Sequence, residues 1–310
     1  MTKSVVAALD IGGTKSAAAL VERDGRLGPT ASAATPGARG PQAVLDTAAG
    51  LVGTLAEAAT RAGQRIVGLG VGCAGVIDAD AGTVLSATDV LRDWAGTRVA
   101  AQLGELSGIP FVRVDNDVHA HALGEGWVGA AADAHSAFFV GVGTGIGASL
   151  VIDGRVWHGA RSVAGHFGHV PVPHASGLPC VCGGSGHVEA IAAGPAMVEA
   201  YNRRAAGHAT SLVEVRDLAA AGDVLARLAL ETGARALGCA IGGAANLVDP
   251  SVVVLGGGVV GAGPSWWEPM EAALRGELLP PLKDLPVVPA QLGPSAALVG
   301  AARLVWKELS

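Results

Sequence analysis

The chain has 310 residues, of which 50% are hydrophobic and 15% are charged, and this balance excludes an intrinsically disordered protein. Its formal net charge is −6 and it has no basic run, so we expect no nucleic-acid-binding surface. The apolar N-terminal stretch is interrupted by Asp10, and the longest apolar tracts are too short to cross a bilayer. We therefore expect a cytoplasmic protein without membrane contact, and the length predicts two domains.

Strand and helix patterns alternate along the whole chain. In the first half they predict strands at 4–10, 16–22, 66–71 and 111–114 and helices at 41–62, 94–106 and 115–127. In the second half they predict strands at 138–142, 148–152, 251–255 and 288–292 and helices at 188–206, 224–247, 265–278 and 295–309. Such alternation is typical of α/β layers.

One pattern occurs twice: a strand, a glycine-threonine turn, a strand and an Asp-Gly turn. The first copy reads DIGGTKSAAALVERDGRL from Asp10, and the second reads GVGTGIGASLVIDGRV about 130 residues later. We infer a duplicated α/β domain, with a cleft between the two copies as the expected substrate site. The predicted domains are residues 1–117 and 118–294, and the last helix, at about 295–310, is expected to pack back on the first domain.

Three glycine clusters follow predicted strands. Turns of small residues expose backbone N–H groups that bind phosphate, and threonine hydroxyls add donors. Asp10, just before the first turn, could hold Mg²⁺ through water, and Lys15 is either an additional cation or a plain surface lysine. Together the clusters indicate a nucleotide site with these candidate residues: Asp10, Gly12, Gly13, Thr14, Lys15, Gly143, Thr144, Gly145, Gly256, Gly257 and Gly258.

Two better-known nucleotide motifs were considered. The P-loop pattern G-x-x-x-x-G-K-[ST] does not occur. A G-x-G-x-x-G pattern does occur, at Gly70, Gly72 and Gly75, but the next residues, VIDADAGTV, predict a hairpin. A dinucleotide fingerprint needs a helix at that point, so a nicotinamide enzyme is only a minor alternative.

Asp115-Asn116-Asp117 stands where a strand ends and a helix begins. Asp and Asn are favoured as helix N-caps, and that role needs only one of the three residues. A kinase that acts on an alcohol needs a carboxylate to accept the hydroxyl proton, which is the functional interpretation. The capping role and the catalytic role can both be present if different residues of the three have them.

A cysteine- and histidine-rich loop follows in the second half. His166, His169, His174, Cys180, Cys182 and His187 occur within about 25 residues. Two thiolates and two imidazoles would complete a tetrahedral zinc site, and the alternative is an exposed loop of unrelated histidines. The spacing alone does not decide which histidines would bind the metal.

These motifs together resemble the ROK family of sugar kinases, repressors and open reading frames, over essentially the whole chain. DIGGTK and GTGIG are similar to the two phosphate loops of the family, NDVHAHALGE to its catalytic segment, and GHFGH with CVCGGSGHVEAIAAG to its zinc signature. The resemblance implies two ribonuclease-H-like domains of the hexokinase/actin type, usually in a homodimer. It also implies ATP, Mg²⁺ and a structural Zn²⁺.

The resemblance assigns roles residue by residue. Asp117 would be the catalytic base, and the zinc ligands would be His169, Cys180, Cys182 and His187. Family members generally have a third cysteine where His187 stands, and histidine is also a zinc ligand. The sugar would be bound by Gly75, Asp89, Asn116, Asp117, His166, His169 and Glu189.

Two of these residues depart from the pattern of the family. Most members have Glu where His166 stands, and Asp89 occupies a position where Asn often contacts the sugar. A histidine in AGHxGH resembles the bacterial N-acetylmannosamine kinases, as does the VEAIA run at 188–192. A neutral imidazole can donate or accept a hydrogen bond, whereas a carboxylate only accepts.

The sequence therefore predicts ATP-dependent phosphorylation of the 6-hydroxyl of a hexose, with N-acetylmannosamine as the first candidate and glucose as the second. A non-catalytic sugar-sensing regulator is the alternative from another class. The family's repressors carry an N-terminal helix-turn-helix that this sequence does not show, and together with Asp117 this favours a kinase.

Overall fold

The computed structural model describes residues 2–88 and 90–309, which form two compact units. Unit 1 comprises Met1–Asp133, Val151–Val163 and Gln291–Ser310, and unit 2 comprises Ala134–Leu150 and Ala164–Ala290. The first boundary thus follows Asp133 and not residue 117 as predicted. The difference arises because the helix that begins at Asp117 packs against the C-terminal helix, within unit 1.

The described residues form helices and strands in alternation. The first half contains β1 Lys3–Ile11, β2 Lys15–Val21, β3 Leu27–Ala34, α1 Pro41–Arg61, β4 Gln64–Cys73, β5 Val76–Asp78, β6 Thr83–Ser86, α2 Val99–Ser107, β7 Val112–Asn116 and α3 Asp117–Val128. The second half contains β8 Ser136–Val142, β9 Ile146–Ile152, β10 Arg155–Val156, α4 Glu189–Ala192, α5 Gly194–Asn202, α6 Leu212–Ala220, α7 Val224–Val248, β11 Val252–Gly256, α8 Pro264–Glu277, β12 Val287–Pro289 and α9 Ala296–Glu308.

Two five-stranded sheets have the same topology. Their strand orders are β3-β2-β1-β4-β7 and β10-β9-β8-β11-β12. In each sheet the first three strands are antiparallel and the remaining strands join in parallel. The antiparallel part holds the glycine-threonine turn, and the parallel part needs helical crossovers. This repeated order is what a duplicated domain predicts.

The first sheet is covered on both faces. Alternate residues of β1 point to opposite sides, so Leu9 and Ile11 pack with α1 and α2, while Val6 and Ala8 pack with α9. This explains why β1 is apolar on both faces, unlike a strand that faces water on one side. The C-terminal helix α9 is therefore a layer of unit 1.

Helices α3 and α9 meet at two glycines that leave no room for side chains. A Cβ atom on Gly300 would lie 1.7 Å from the carbonyl oxygen of Ala120, and one on Gly124 would lie 2.2 Å from that of Ala296. The two backbones are therefore in direct contact. This contact holds α3, and with it the N-terminal residue Asp117, against the rest of unit 1.

The core of unit 2 is built around α7. Its buried residues include Leu230, Leu237 and Ile241, which pack with Trp266 and Met270 of α8 and with the second sheet.

Along the described stretches of chain, no helix combines the length and the apolar character that spanning a membrane requires.

Two predicted helices differ from those observed. The helix predicted at 94–106 begins only at Val99, because Gly96 has a φ of +84° and turns the chain, while Trp94 donates from Nε1 to the carbonyl of Ala74. The helix predicted at 188–206 is divided into α4 and α5 by Ala193, which is extended, and α5 ends at Asn202. The break lets the N–H of Gly194 donate to the carbonyl of Gly143.

Candidate functional site

The carboxyl ends of three parallel strands form one edge of the first sheet. The register aligns Asp10 of β1 with Gly72 of β4, and Gly72 with Asp115 of β7. The residues just beyond this level, the turn at 12–14 and the segment 116–117, therefore lie at the same edge. The carboxyl edge of parallel strands is the usual position of a ligand site in α/β folds.

Asn116 is the N-cap of α3. Its Oδ1 accepts from the N–H of Val118 at 2.8 Å and from that of His119 at 3.3 Å. Its Nδ2 donates to the carbonyl of Gly75 at 2.9 Å. The capping role therefore belongs to Asn116. A sugar contact by Asn116 or Gly75 remains a prediction.

Asp117 is the first residue of α3 and has one carboxylate oxygen available. Its Oδ1 accepts from the N–H of Val118 at 2.9 Å, and within residues 2–88 and 90–309 no side chain or backbone group donates to Oδ2. The neighbouring Asp10 has a pKa raised to about 6, chiefly by burial and further by the charge of Asp117, while His121 opposes the rise. Two carboxylates and an imidazole thus share this edge, which suits a divalent cation and a hydroxyl group.

The first glycine turn, Gly12-Gly13-Thr14, joins β1 to β2. The N–H of Gly12 already donates to the carbonyl of Lys15 at 3.1 Å. The amides of Gly13 and Thr14 have no acceptor among the described residues, and the side chains of Thr14 and Lys15 are exposed. Within this turn, the geometry favours Gly13 and Thr14 as anion donors over Gly12.

The G-x-G-x-x-G segment has the hairpin that its sequence predicts. Strand β4 is followed by β5 and β6, which pair antiparallel, and not by a helix. The pyrophosphate site of a dinucleotide fold is the N-terminus of a helix at this point. The geometry thus gives no support to the nicotinamide alternative.

In unit 2, two of the three glycine clusters line one cavity. Gly143, Thr144 and Gly258 belong to the wall of a space of about 880 Å³, together with apolar and polar residues of α5 and the segment that follows it. Its volume lies within the range of about 300–1,000 Å³ that is usual for small-molecule sites. Its lining, part glycine turn and part apolar, suits phosphates and a flat base.

Gly256 and Gly257 shape the floor of this region rather than its wall. Gly257 has a φ of +90°, and a Cβ atom there would lie 2.2 Å from the carbonyl oxygen of Val142. A Cβ atom on Gly256 would lie 2.6 Å from the ring of Phe139. Only glycine therefore allows the end of β11 to approach the end of β8 this closely.

Glu189 is tied to the second glycine turn. Its Oε2 accepts from the N–H of Ile146 at 2.8 Å, directly after Gly145. A Cβ atom on Gly145 would lie 2.7 Å from the same oxygen, and one on Gly168 would lie 3.0 Å from it. Glu189 therefore connects the turn to the loop that carries His166 and His169. Its predicted contact with sugar is not tested by this arrangement.

His166 and His169 lie close together within that loop. Their ring centroids are 6.3 Å apart and the ring planes differ by 26°. The N–H of His169 donates to the carbonyl of His166 at 3.1 Å, so a tight turn sets their spacing. Asp89, the other position that departs from the family pattern, lies outside the described residues.

Four predicted metal ligands converge at the end of the loop. The side-chain donor atoms of His169, Cys180, Cys182 and His187 all lie within 4.8 Å of one another. Cys180 Sγ is 3.6 Å from His169 Nδ1, and Cys182 Sγ is 3.3 Å from His187 Nδ1. The edges of a tetrahedron around zinc measure about 3.3–3.8 Å, so the group fits such an ion. His166 and His174 are not part of it.

Several buried polar residues near the first sheet edge were not predicted. Asp115 contacts His119 and His158, and Glu125 accepts from the backbone N–H groups of Ala130, Gln291 and Leu292. The spacing of Asp115 and His119, one helical turn apart, is a signal that could have been noticed. Gln291 and Leu292, which donate to Glu125, and His158, which contacts Asp115, are distant in sequence from their partners, and no local pattern indicates these contacts.

Comparison with known proteins assigns the chain to a family. The model of the ROK family matches residues 6–308. The glucokinase of Streptomyces coelicolor is 33% identical, with 96% of each chain covered. The N-acetylmannosamine kinase of Escherichia coli O1:K1 is 31% identical, with 97% of this chain and 98% of that protein covered.

A solved structure shows the same architecture. The ROK family glucokinase from Streptomyces griseus, in complex with glucose and AMPPNP, aligns with a TM-score of 0.77 at 32% identity. The alignment covers 97% of this chain and 98% of that one. The two-domain hexokinase/actin-type α/β fold predicted from the motifs is thus confirmed. The chain belongs to the ROK family, and its similarity to the sugar kinases of that family extends over nearly its whole length.

Proposed function

We propose that this protein is an ATP- and Mg²⁺-dependent kinase that phosphorylates the 6-hydroxyl of a hexose. The observation that carries the proposal is the carboxyl edge of the first sheet, where Asp117 begins α3 next to Asp10. The available oxygen of Asp117 would accept the proton of the sugar hydroxyl. Asp10 would bind Mg²⁺ through water, and the cation would offset the repulsion between the two carboxylates.

The glycine turns support the nucleotide part of the proposal. The backbone amides of Gly13 and Thr14, and those of the second turn at Thr144 and Gly145, would bind phosphate oxygens. The cavity of about 880 Å³ beside Thr144 and Gly258 would hold the nucleoside. Positioning and charge neutralisation are the main protein contributions to phosphoryl transfer, so these groups suffice for the chemistry.

A structural zinc ion would order the sugar-binding loop. The thiolates of Cys180 and Cys182 and the imidazoles of His169 and His187 would be its ligands. When bound, the ion would fix the backbone on both sides of the cluster, since His169 follows His166 and His187 precedes Glu189 by two residues. His166, His169 and Glu189 would then meet the sugar from a fixed loop.

We propose N-acetylmannosamine as the substrate, because a histidine stands at position 166 in the AGHxGH segment. Its imidazole can donate a hydrogen bond to an acyl oxygen, which a carboxylate cannot do. Glucose is the second candidate, because glucokinases and N-acetylmannosamine kinases are similar to this chain at nearly the same identity.

We also propose that the protein forms a homodimer, which light scattering would test.

The substrate is tested by coupled ADP release over a panel of sugars. N-acetylmannosamine, N-acetylglucosamine, glucose, mannose and fructose are compared at equal concentration, and we expect the highest kcat/KM for N-acetylmannosamine. His166→Glu should lower that value and raise the one for glucose. A wild-type protein that prefers glucose would contradict the assignment of N-acetylmannosamine and leave the kinase proposal intact.

The catalytic base is tested by Asp117→Asn. We expect turnover to fall by roughly 10²–10⁴ while the dissociation constant for sugar changes little, since the amide keeps the shape but cannot take a proton. Asp284→Asn is the control, because that side chain is 88% exposed and remote from the sheet edge in sequence. Full activity of the Asp117 variant would show that another group accepts the proton.

The regulator alternative makes the opposite prediction for the wild-type protein. A sensor would bind sugar in calorimetry and release no ADP with any member of the panel. Sugar-dependent ADP release at a rate that Asp117→Asn abolishes would exclude it.

A further inference from the structure

A second group of charged side chains surrounds a cavity of about 510 Å³ in unit 1. Its wall is formed by the carboxyl end of β7, the β10 segment and α9, and besides Arg113 it carries three cations: Arg155, Arg303 and Lys307. Arg303 and Lys307 are four residues apart on α9 and so lie on one face of the helix. No described carboxylate lies within 4 Å of any of the three cationic groups.

Two of these cations are partly buried. The guanidinium of Arg303 lies 4.9 Å from the ring centroid of Trp127, and Nζ of Lys307 donates to the carbonyl of Gly154 at 2.7 Å. Burial lowers the pKa of Arg303. Burial also lowers the pKa of Lys307, and the charges of Arg155 and Arg303 lower it further. Their positive charges are therefore close enough to repel one another, and a bound anion would relieve that repulsion.

The other charges at the cavity are largely balanced. Arg113 makes two hydrogen bonds to Glu308, at 2.6 and 2.5 Å. The carboxylate of Asp115 is held by histidines, and Asp80 is a single exposed carboxylate. With the Arg113–Glu308 pair neutral, three cations face the two carboxylates of Asp80 and Asp115. The cavity thus has an excess of about one positive charge, which favours an anion such as a phosphate group.

A buried carboxylate fixes one more donor in the wall. Asp115 is 1% exposed, and its Oδ2 lies 2.8 Å from Nε2 of His158. Its Oδ1 lies 2.9 Å from Nδ1 of His119 and accepts from the N–H of Asn116 at 2.8 Å. Burial raises the pKa of Asp115, but the hydrogen bonds from both histidines outweigh it and lower the pKa to about 2. The carboxylate is therefore ionised and orients His158 at the cavity.

His158 gains positive charge from this arrangement. Its hydrogen bond to Asp115 is the main cause that raises its pKa, with burial opposing and Asp80 assisting. The side chain is 31% exposed, so it reaches both the buried carboxylate and the cavity. The imidazole, whose pKa is raised, adds a further hydrogen-bond donor for an oxyanion beside the three cations.

We propose that this cavity binds a phosphate group, either as inorganic phosphate or as a phosphate monoester such as a sugar phosphate. Its volume, within the range of about 300–1,000 Å³ usual for ligands, admits either source. Because Asp115 also holds the N–H of Asn116, an anion beside His158 is connected to the turn that precedes Asp117. Any effect on catalysis rests on the proposed kinase function, whereas binding does not.

Binding is measured at His158 itself by proton NMR of the imidazole C–H resonances, in the absence of sugar and nucleotide. His158→Gln identifies the resonance by its loss from the spectrum. Titration with inorganic phosphate, and separately with glucose 6-phosphate, should shift this resonance along a saturable curve. The lower dissociation constant identifies the source of the phosphate group. Any shift caused by glucose alone should be the same in Lys307→Gln as in the wild type, because it would arise at the sugar site.

Two charge-removing variants test the cations. Arg155→Gln and Lys307→Gln should each weaken binding at least about tenfold, as expected when one charged hydrogen bond is lost. Arg61→Gln, on the exposed face of α1, should leave the dissociation constant unchanged and controls for net charge. A phosphate shift that fails to saturate, or that is equal in wild type and Lys307→Gln, would overturn the proposal.

Discussion

Asp10 is the residue at which burial and charge repulsion act together. Its pKa of about 6 lies above the ordinary value of 3.8, so folding favours the protonated carboxyl. The stability this gives is complete below about pH 4 and is lost as the pH rises through 6. Binding of Mg²⁺ would require the ionised form of Asp10. The charge of this carboxylate therefore lowers the free energy of unfolding at neutral pH, and the same charge would bind the cation.

We predict that Asp10→Asn removes this pH dependence. Between pH 4.5 and 7, the free energy of unfolding of the wild type should fall by roughly 1–3 kcal/mol relative to that of the variant, as a shift of about two pKa units implies. Urea unfolding at several pH values without Mg²⁺ measures the difference. Parallel curves for the two proteins would show that the pKa of Asp10 is not raised.

The pKa of Asp10 should depend on the charge of Asp117. Because the charge of Asp117 contributes to the raised pKa of Asp10, Asp117→Asn should lower the pKa of Asp10. Carbon-13 NMR of the labelled aspartate carboxyl groups would measure the titration, with Asp284→Asn as the control. An unchanged titration of Asp10 would mean that the two carboxylates do not interact.

How much of the site the sequence predicts depends on the distance between partners along the chain. Asp10 and Asp117 could be named as candidates because Asp10 lies near the end of a predicted strand and Asp117 follows another, each within a recognisable local pattern. The contact between Asp115 and His158 could not, because 43 positions separate them and only tertiary packing, in which β10 contacts α3, brings them together. The capping role of Asn116 was among the interpretations that the local pattern allowed, and the hydrogen bonds decided for it.

At the scale of elements, the metal loop offers a prediction with a matched control. We expect about one zinc per chain in the purified protein, lost in Cys180→Ser and retained in His174→Gln. His174 belongs to the same loop but not to the cluster of donor atoms. Elemental analysis of the three proteins measures the metal content.

Loss of the metal should loosen a defined segment. Hydrogen exchange should accelerate between residues 178 and 188, where backbone hydrogen bonds join Cys180 to Gly183 and Gly184 and Leu178 to Gly186. Equal metal content in Cys180→Ser and the wild type would contradict the proposed ligands.

The crossing of α3 and α9 predicts opposite effects for two glycine substitutions. Gly300→Ala places a methyl group against the carbonyl of Ala120 and should destabilise unit 1 by about 1–3 kcal/mol or more. Gly53→Ala, in the exposed middle of α1, meets no atom within 4 Å and should be neutral or stabilise by up to about 1 kcal/mol. Thermal unfolding of both variants checks the prediction, and equal melting temperatures would refute the close contact.

Element boundaries were predictable where a single helical pattern ran without interruption, as in α1 and α7. They were wrong where one residue with a non-helical backbone conformation interrupted a helix that the apolar spacing had predicted. Gly96 turns the chain ahead of α2, and Ala193 interrupts the helix predicted from 188. The apolar spacing of side chains does not show such a break, because core residues lie on both sides of it.

At the scale of the whole molecule, the repeated pattern predicted a duplicated α/β domain, and the structure has two sheets with the same strand order. Unit 1 draws on three separate stretches of chain: the return of the last helix was expected from the sequence, whereas the contribution of residues 151–163 was not. That composition arises from long-range packing: α9 covers the face of β1 that carries Val6 and Ala8.

We therefore predict that removing residues 291–310 prevents unit 1 from folding. Without α9, the sheet face at Val6 and Ala8 would be exposed to water, together with the glycine-lined contact on α3. Circular dichroism and limited proteolysis of the truncated chain measure the loss. A cooperative unfolding transition of wild-type amplitude in the truncated chain would contradict it.

The late position of α9 also has a consequence during synthesis on the ribosome. The strands of the first sheet emerge early, but their covering helix is translated only after all of unit 2. At about 5–20 residues per second, the nascent β1 waits for roughly 10–60 seconds with one apolar face uncovered. Over that interval the growing polypeptide offers chaperones a binding surface, which α9 should cover once it has been synthesised.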